Sequence, residues 1–248
     1  MSILTRKSTP AAALILAVLA LLAACADLPT PQPLPPTQWL RVQVSPSLAL
    51  SGDLLSACTP AGAGLALQEV TGAAFAADQV DLTLRWGASS DGSGYSAQIG
   101  EDELVPVVHP SNSVQSHTLS ALRTTFAGGL PGWDWDFLGQ PAQPLSVYAY
   151  PSSSDIQAIL ASQLLPSGQS LPREVVVAPG PAQVREAVAA DPGALGFLPR
   201  RWVDASVRAV AVTGLPAGAW TQPILALSAV EPQGLARAWL LCVQQELK

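Results

Sequence analysis

Charge is what this chain of 248 residues has least of: Asp, Glu, Lys and Arg make up 12% of it, against about 25% in an average soluble protein. The twelve basic residues are scattered among eighteen acidic ones, so no basic stripe forms and nucleic acid is excluded as a partner. Long apolar runs are missing too. Hydrophobic residues reach 49% and the mean hydropathy is +0.31, yet the one dense apolar run, residues 11–24, is shorter than the about 20 residues that cross a bilayer as a helix. Residues 209–230 carry no charge, but Gly214, Pro216, Gly218, Gln222 and Pro223 divide them into pieces suited to strands and turns. A multi-pass membrane protein is excluded. The two histidines, His109 and His117, do not have an i, i+4 zinc spacing, and neither His-Glu-x-x-His nor Gly-x-Ser-x-Gly occurs. Asp134 and Asp136 follow a predicted helix and read as caps or solvated carboxylates rather than an acid/base pair. Gly62-Ala63-Gly64 is too short to mark a nucleotide site. The sequence therefore predicts no enzyme, no metal and no cofactor.

What is present begins with an address. Arg6 and Lys7, then the apolar run, then small residues follow the order of a secretory leader. Leu22-Ala23-Ala24-Cys25 resembles the lipobox of bacterial lipoproteins, which implies a leader over residues 1–24 and lipidation of Cys25. Residues 25–37 then read as a tether. Pro29, Pro31, Pro33, Pro35 and Pro36 supply five of the eleven residues 27–37, and an extended polyproline segment of that length holds a folded body roughly 30 Å from the membrane. The expected location is extracytoplasmic, attached to the cell membrane by lipid. With Cys25 used, Cys58 and Cys242 remain; they either form a disulfide, as export permits, or sit buried as small apolar thiols.

Along the exported body, residues 39–44 alternate apolar and polar and predict a strand, ending at Ser45-Pro46-Ser47. A short helix follows from Ser51 or Asp53, a strand at 81–86 and a loop at 89–94. Strands are predicted at 104–108, 145–150, 174–178 and 194–198. Helices are predicted at 118–126, after Ser152-Ser153-Ser154-Asp155, at 182–190 with Asp191-Pro192-Gly193 as the stop, and at 232–247. This alternation predicts an α/β architecture with a largely parallel sheet.

The middle of the chain resembles the phosphate-type periplasmic substrate-binding proteins, the receptors of ABC importers. Leu104-Val105-Pro106-Val107-Val108-His109-Pro110-Ser111-Asn112 looks like the strand that enters their second lobe. Residues 118–128, ending Phe126-Ala127-Gly128 and followed by Trp133, are similar to their helix and tryptophan turn. Val147-Tyr148-Ala149-Tyr150-Pro151-Ser152-Ser153-Ser154 stands where the family has a strand, an Arg and Ser-Gly-Thr before a helix. Residues 184–197 resemble its helix and return strand. The likeness covers about residues 104–198.

The resemblance implies a type II, two-lobed fold with a ligand cleft between the lobes. Lobe 1 would comprise residues 38–102 plus 203–248 and lobe 2 residues 103–202, with hinge crossings near 100–104 and 198–204. If the last helix packs on lobe 1, Cys58 and Cys242 fall in one lobe and the disulfide is favoured. The implied partners are a small-molecule or anion ligand, such as phosphate, and an ABC permease. Helix N-termini with adjacent hydroxyls suit an oxyanion, so Ser45, Ser47, Ser152, Ser153 and Ser154 are the candidate ligand-binding residues. The family's Arg is absent before these serines, and Arg85 is the candidate replacement cation. Asp155 is either a helix cap or, pointing into the cleft, a group that repels phosphate. Trp86, Tyr95, Tyr148 and Tyr150 either pack the core or wall an organic-ligand pocket. The alternative function is a surface lipoprotein that keeps the fold as a sensor or protein-interaction module without transport.

Overall fold

The computed structural model describes residues 38–71, 80–87, 94–127, 144–165 and 169–247. The leader, Cys25, the Pro-rich tether, nearly all of the 89–94 loop, and the Trp133 to Asp136 turn lie outside the described residues. Of the two units into which the chain divides, the folded body is the one spanning residues 36–248.

Alternating side chains lay down the first strand. In β1 (Gln38–Val44), Leu40, Val42 and Val44 are buried while Trp39 and Arg41 stay exposed, the period of two that a pleated strand imposes; Gln43 breaks it, buried with its amide donating to Gln68 Oε1. β1 pairs in parallel with β2 (Ala63–Glu69) on one side, from Gln38↔Ala63 to Val44↔Glu69. On its other side it pairs with β3 (Leu82–Trp86), Val42↔Leu82 to Val44↔Leu84. Between β1 and β2 lies α1 (Gly52–Ala57), started by the Ser51 hydroxyl, which accepts the Leu54 N–H at 3.2 Å.

The sheet then turns mixed, which corrects the expectation of a largely parallel one. β4 (Tyr95–Val108) and β11 (Thr221–Ser228) run antiparallel to each other, and β11 runs antiparallel to β3. β4 is long enough to serve two groups of strands. It pairs with β11 from Tyr95↔Ser228 to Glu103↔Thr221, then with β8 (Ala194–Pro199) from Leu104↔Pro199 to Val108↔Leu195. β8 is parallel to β6 (Ser146–Ala149), and β6 to β7 (Val176–Val177). β4 is thus antiparallel to a strand of each group, β11 and β8. The strand order of this nine-stranded sheet is β2-β1-β3-β11-β4-β8-β6-β7, with β9 (Arg208–Ala209) also on β4. β5 (Ser116–Thr118) and β10 (Ala211–Thr213) form a separate parallel pair.

Among the described residues, four longer helices cover the faces. α2 (Leu119–Phe126) is capped by Thr118, whose hydroxyl accepts the Ala121 N–H. α3 (Asp155–Leu164) follows the serine run, and α4 (Pro181–Ala190) opens on a proline, whose missing N–H costs nothing there. α4 lies close on β8 because residue 196 is glycine: a Cβ there would stand 2.6 Å from Val184 Cγ1. α5 (Gly234–Glu246) returns to α1, where the Trp239 indole N–H donates to the Leu55 carbonyl at 3.0 Å. Beside that contact Cys58 and Cys242 are joined in a disulfide, Cα–Cα 5.5 Å. Trp86, Trp220, Trp239, Tyr150, Phe126 and Phe197 are the largest fully buried side chains, and Phe197 meets both Phe126 and Trp220 edge-on.

Candidate functional site

Parallel α/β sheets offer their ligand crevice beyond the carboxyl ends of strands, where strand order reverses. β1 lies between β2 and β3, and its carboxyl end is such a place. The chain leaves β1 at Ser45, whose N–H donates to the Leu84 carbonyl of β3 at 2.9 Å. It then makes one turn of 3-10 helix over Pro46–Leu48, closed by Ala49 at φ +53. Ser45 caps this turn by accepting the Ser47 N–H. Both serine side chains are left facing the crevice from a buried position, 3% and 2% exposed.

Opposite them stands the start of α3. Ser154 is its N-cap and is buried, but no side-chain capping bond is made from it. Capping falls to Asp155, whose Oδ1 accepts the Ile156 N–H at 2.9 Å. The same carboxylate crosses the crevice. Ser45 Oγ donates to Asp155 Oδ2 at 2.7 Å, and Ser47 Oγ donates to Asp155 Oδ1 at 2.5 Å. The Asp155 carboxylate thus meets both the helix start and the turn after β1. α3 also comes close to the residue after β3, since a Cβ on Gly87 would lie 3.7 Å from Ile159 Cδ1.

The predicted site residues are thus only partly assembled. Ser45, Ser47 and the Ser154-Asp155 helix start come together, whereas Ser152 and Ser153 are exposed on the turn before α3. Arg85 sits on β3 opposite Leu225 of β11. The Asp155 carboxylate accepts from Ser45, Ser47 and the Ile156 N–H. Trp86 is wholly buried, and Tyr150 is core, 1% exposed, with its hydroxyl donating to the Phe197 carbonyl. Burial, and next the charge of Asp155, push the Tyr150 phenol well above its ordinary value. Tyr95 and Tyr148 are half-buried.

A cavity of about 310 Å³ adjoins the crevice, with Ser45, Pro46 and Glu69 on one side and Arg185, Arg201 and Trp202 on the other. The Trp202 indole N–H donates to the Pro46 carbonyl at 3.2 Å, and the Arg185 guanidinium stacks over the Trp202 ring at 5.6 Å. Arg185 is also paired with Asp204 at 3.0 Å. The Arg201 backbone N–H donates to Asp102 Oδ2, and its side chain donates to the Leu247 carbonyl. Burial raises the Asp102 carboxyl, more than the Glu103 and Arg201 N–H groups and the Arg201 charge lower it. Sequence reasoning missed Arg185, Arg201 and Trp202. Their signal was two adjacent arginines and a tryptophan directly after the last strand of the middle segment, in a chain poor in charge.

No protein-family model matches the chain, and no curated protein sequence matches it. Solved structures do. A candidate phosphate ABC transporter substrate-binding protein from Clostridium perfringens, solved with bound phosphate, superposes with a TM-score of 0.67 at 16% identity, covering 83% of this chain and 92% of that one. An ABC-type phosphate transport receptor from Vibrio cholerae gives 0.59 at 16% identity, covering 83% and 93%. The regulatory domain of OxyR from Pseudomonas aeruginosa gives 0.58 at 12%, covering 84% and 98%. At such identities the likeness concerns architecture, and it assigns the chain the two-lobed, type II periplasmic-binding fold.

Proposed function

We propose that the folded body is the receptor part of a lipid-anchored extracytoplasmic binding protein, which captures a small solute between its lobes and presents it to an ABC permease. The observation that carries this reading is the pair of buried hydroxyls on Ser45 and Ser47, set across a switch-point crevice from the start of α3. Such a site offers hydrogen-bond donors and shape, which suit binding rather than catalysis. The lobes proposed are residues 38–102 with 203–248, and residues 103–202; β4 changes partners between Glu103 and Leu104, at the proposed boundary. The Arg6-Lys7 leader, Cys25 and the Pro-rich tether support export and attachment to the membrane. A thermal-shift screen of oxyanions, amino acids and sugars tests the proposal, because a ligand that binds only the folded form raises the melting temperature by mass action. A screen in which no solute moves the transition, with no compaction in scattering, rejects solute capture.

A second reading, a sensor or protein-interaction module on the same fold, is favoured by one feature: the donors in the crevice already have an acceptor from the chain itself. A stable protein partner recovered with the exported protein, together with an empty solute screen, would select it over transport.

A further inference from the structure

The Ser45 and Ser47 hydroxyls come from the turn after β1 and the Asp155 carboxylate from the start of α3, 110 and 108 positions apart in the chain. Buried hydroxyl donors must be matched by an acceptor, and a carboxylate at a helix N-terminus is favoured by the free N–H groups and the helix dipole. The three groups therefore satisfy one another without any ligand. A free oxyanion at this place would need the same two hydroxyls and would meet the Asp155 charge directly. Carboxylate and oxyanion are alternative occupants of one position.

We propose that Asp155 is an internal ligand of the crevice: its carboxylate stands where a free oxyanion would bind, holds the turn after β1 against α3 in the ligand-free protein, and excludes inorganic phosphate. The proposal rests on the crevice being the ligand site of the receptor reading. It makes Asp155 the residue that sets ligand class, by occupying the donors that an anion would use. Removing Asp155 should expose two donors beside a helix start and leave the contact between the lobes weaker.

The test uses the mature exported chain as wild type, as Asp155→Ser and as the Ser45→Ala/Ser47→Ala pair, with inorganic phosphate as the probe. Calorimetry and thermal shift read binding; small-angle scattering reads compactness without ligand. The expected result is no saturable phosphate response from wild type and a saturable one from Asp155→Ser, at least about tenfold stronger in apparent affinity. The paired serine variant should gain none, because it lacks the donors. Without ligand, both variants should be more expanded than wild type. Phosphate binding by wild type as tight as by Asp155→Ser overturns the exclusion, and two variants as compact as wild type overturn the holding contact. Should Asp155→Ser fail to fold, Asp155→Gly, which likewise vacates the position, takes its place with the same expectations. A wild type that binds no solute while Asp155→Ser gains phosphate would sink solute capture and leave the internal ligand standing.

Discussion

The Cys58–Cys242 disulfide joins α1 to α5 across a sequence separation of 184 residues. Removing it with a Cys58→Ala/Cys242→Ala pair frees the unfolded chain from a loop of nearly the whole body. In the chain-entropy treatment, closing a loop of that length is worth about 5 kcal/mol at 25 °C. Spread over a body of this size, that corresponds to a fall in melting temperature of about 10–20 °C. The folded state should change little, since Trp239 still donates to Leu55 and stays buried, so α5 keeps its seat on α1. Urea unfolding followed by tryptophan fluorescence, for the oxidised wild type, the wild type in reductant and the variant, measures the difference. Reductant and variant should give the same reduced midpoint, with native fluorescence retained before the transition. A loss below about 1 kcal/mol would refute the entropic account, because a loop this long cannot be cheap to close unless the unfolded chain already holds its ends together.

Tyr150→Phe removes the hydroxyl that donates to the buried Phe197 carbonyl, and leaving that oxygen without a donor should cost about 1–3 kcal/mol in denaturant unfolding. In the wild type, ultraviolet titration should find one of the three tyrosines resisting ionisation in the folded state, because burial and the Asp155 charge raise the Tyr150 phenol. The absence of such a phenol, or an unchanged stability in Tyr150→Phe, counts against the assigned bond. His117 on β5 is held below the ordinary histidine value by burial, so the unfolded chain takes up a proton at higher pH than the folded one. Its contribution to stability is therefore complete above the unfolded value of about 6.5 and is lost as pH falls through the lowered folded one. Melting curves between neutral and mildly acidic pH should fall more steeply for wild type than for His117→Gln. Asp102 acts in the opposite sense, its raised carboxyl favouring the folded state as pH falls, so the difference between the two proteins is the quantity to read; parallel curves would contradict the burial of His117.

The elements legible in the sequence were those whose local chemistry agrees with their place. β1 shows a clean alternation, α1 and α2 begin on a hydroxyl cap, and α4 ends where Asp191-Pro192-Gly193 stops it. β2 was not legible: Ala-Gly-Leu-Ala-Leu-Gln-Glu has no β-branched residue and lies at the sheet edge, mostly exposed, so neighbours rather than propensity make it a strand. The first half of β4 was missed because Ser96, Gln98, Gly100, Glu101, Asp102 and Glu103 read as a polar connector, while β11 supplies its hydrogen-bond partner from more than a hundred residues away. The predicted strand at 174–178 shrinks to two exposed residues. At the site, hydroxyls after a strand and hydroxyls before a helix could be read directly. Which acceptor meets them could not, since the meeting of Ser45 and Ser47 with Asp155 depends on how two distant segments are brought together.

Scarcity of charge governs the character of the crevice. The guanidinium groups of this chain are largely committed to holding it together: Arg41 faces Asp81, Arg185 faces Asp204 and Arg200 faces Glu103, while Arg123 donates to the Gln163 carbonyl and Arg208 to those of Asn112 and Val114. Exposed pairs of this kind add little to stability, but each fixes a cation at a joint in the fold, and the Arg185 pair does so at the cavity beside the crevice. The contact itself is made of two neutral hydroxyls and one carboxylate, with Arg185 and Arg201 lining the cavity beside it. On the proposed receptor reading, a solute that displaces the Asp155 bridge must do two things at once, accepting from Ser45 and Ser47 while donating to Asp155. Polyhydroxylated or amino-bearing molecules can meet both demands, and a fully ionised oxyanion, which has acceptors alone, can meet only the first.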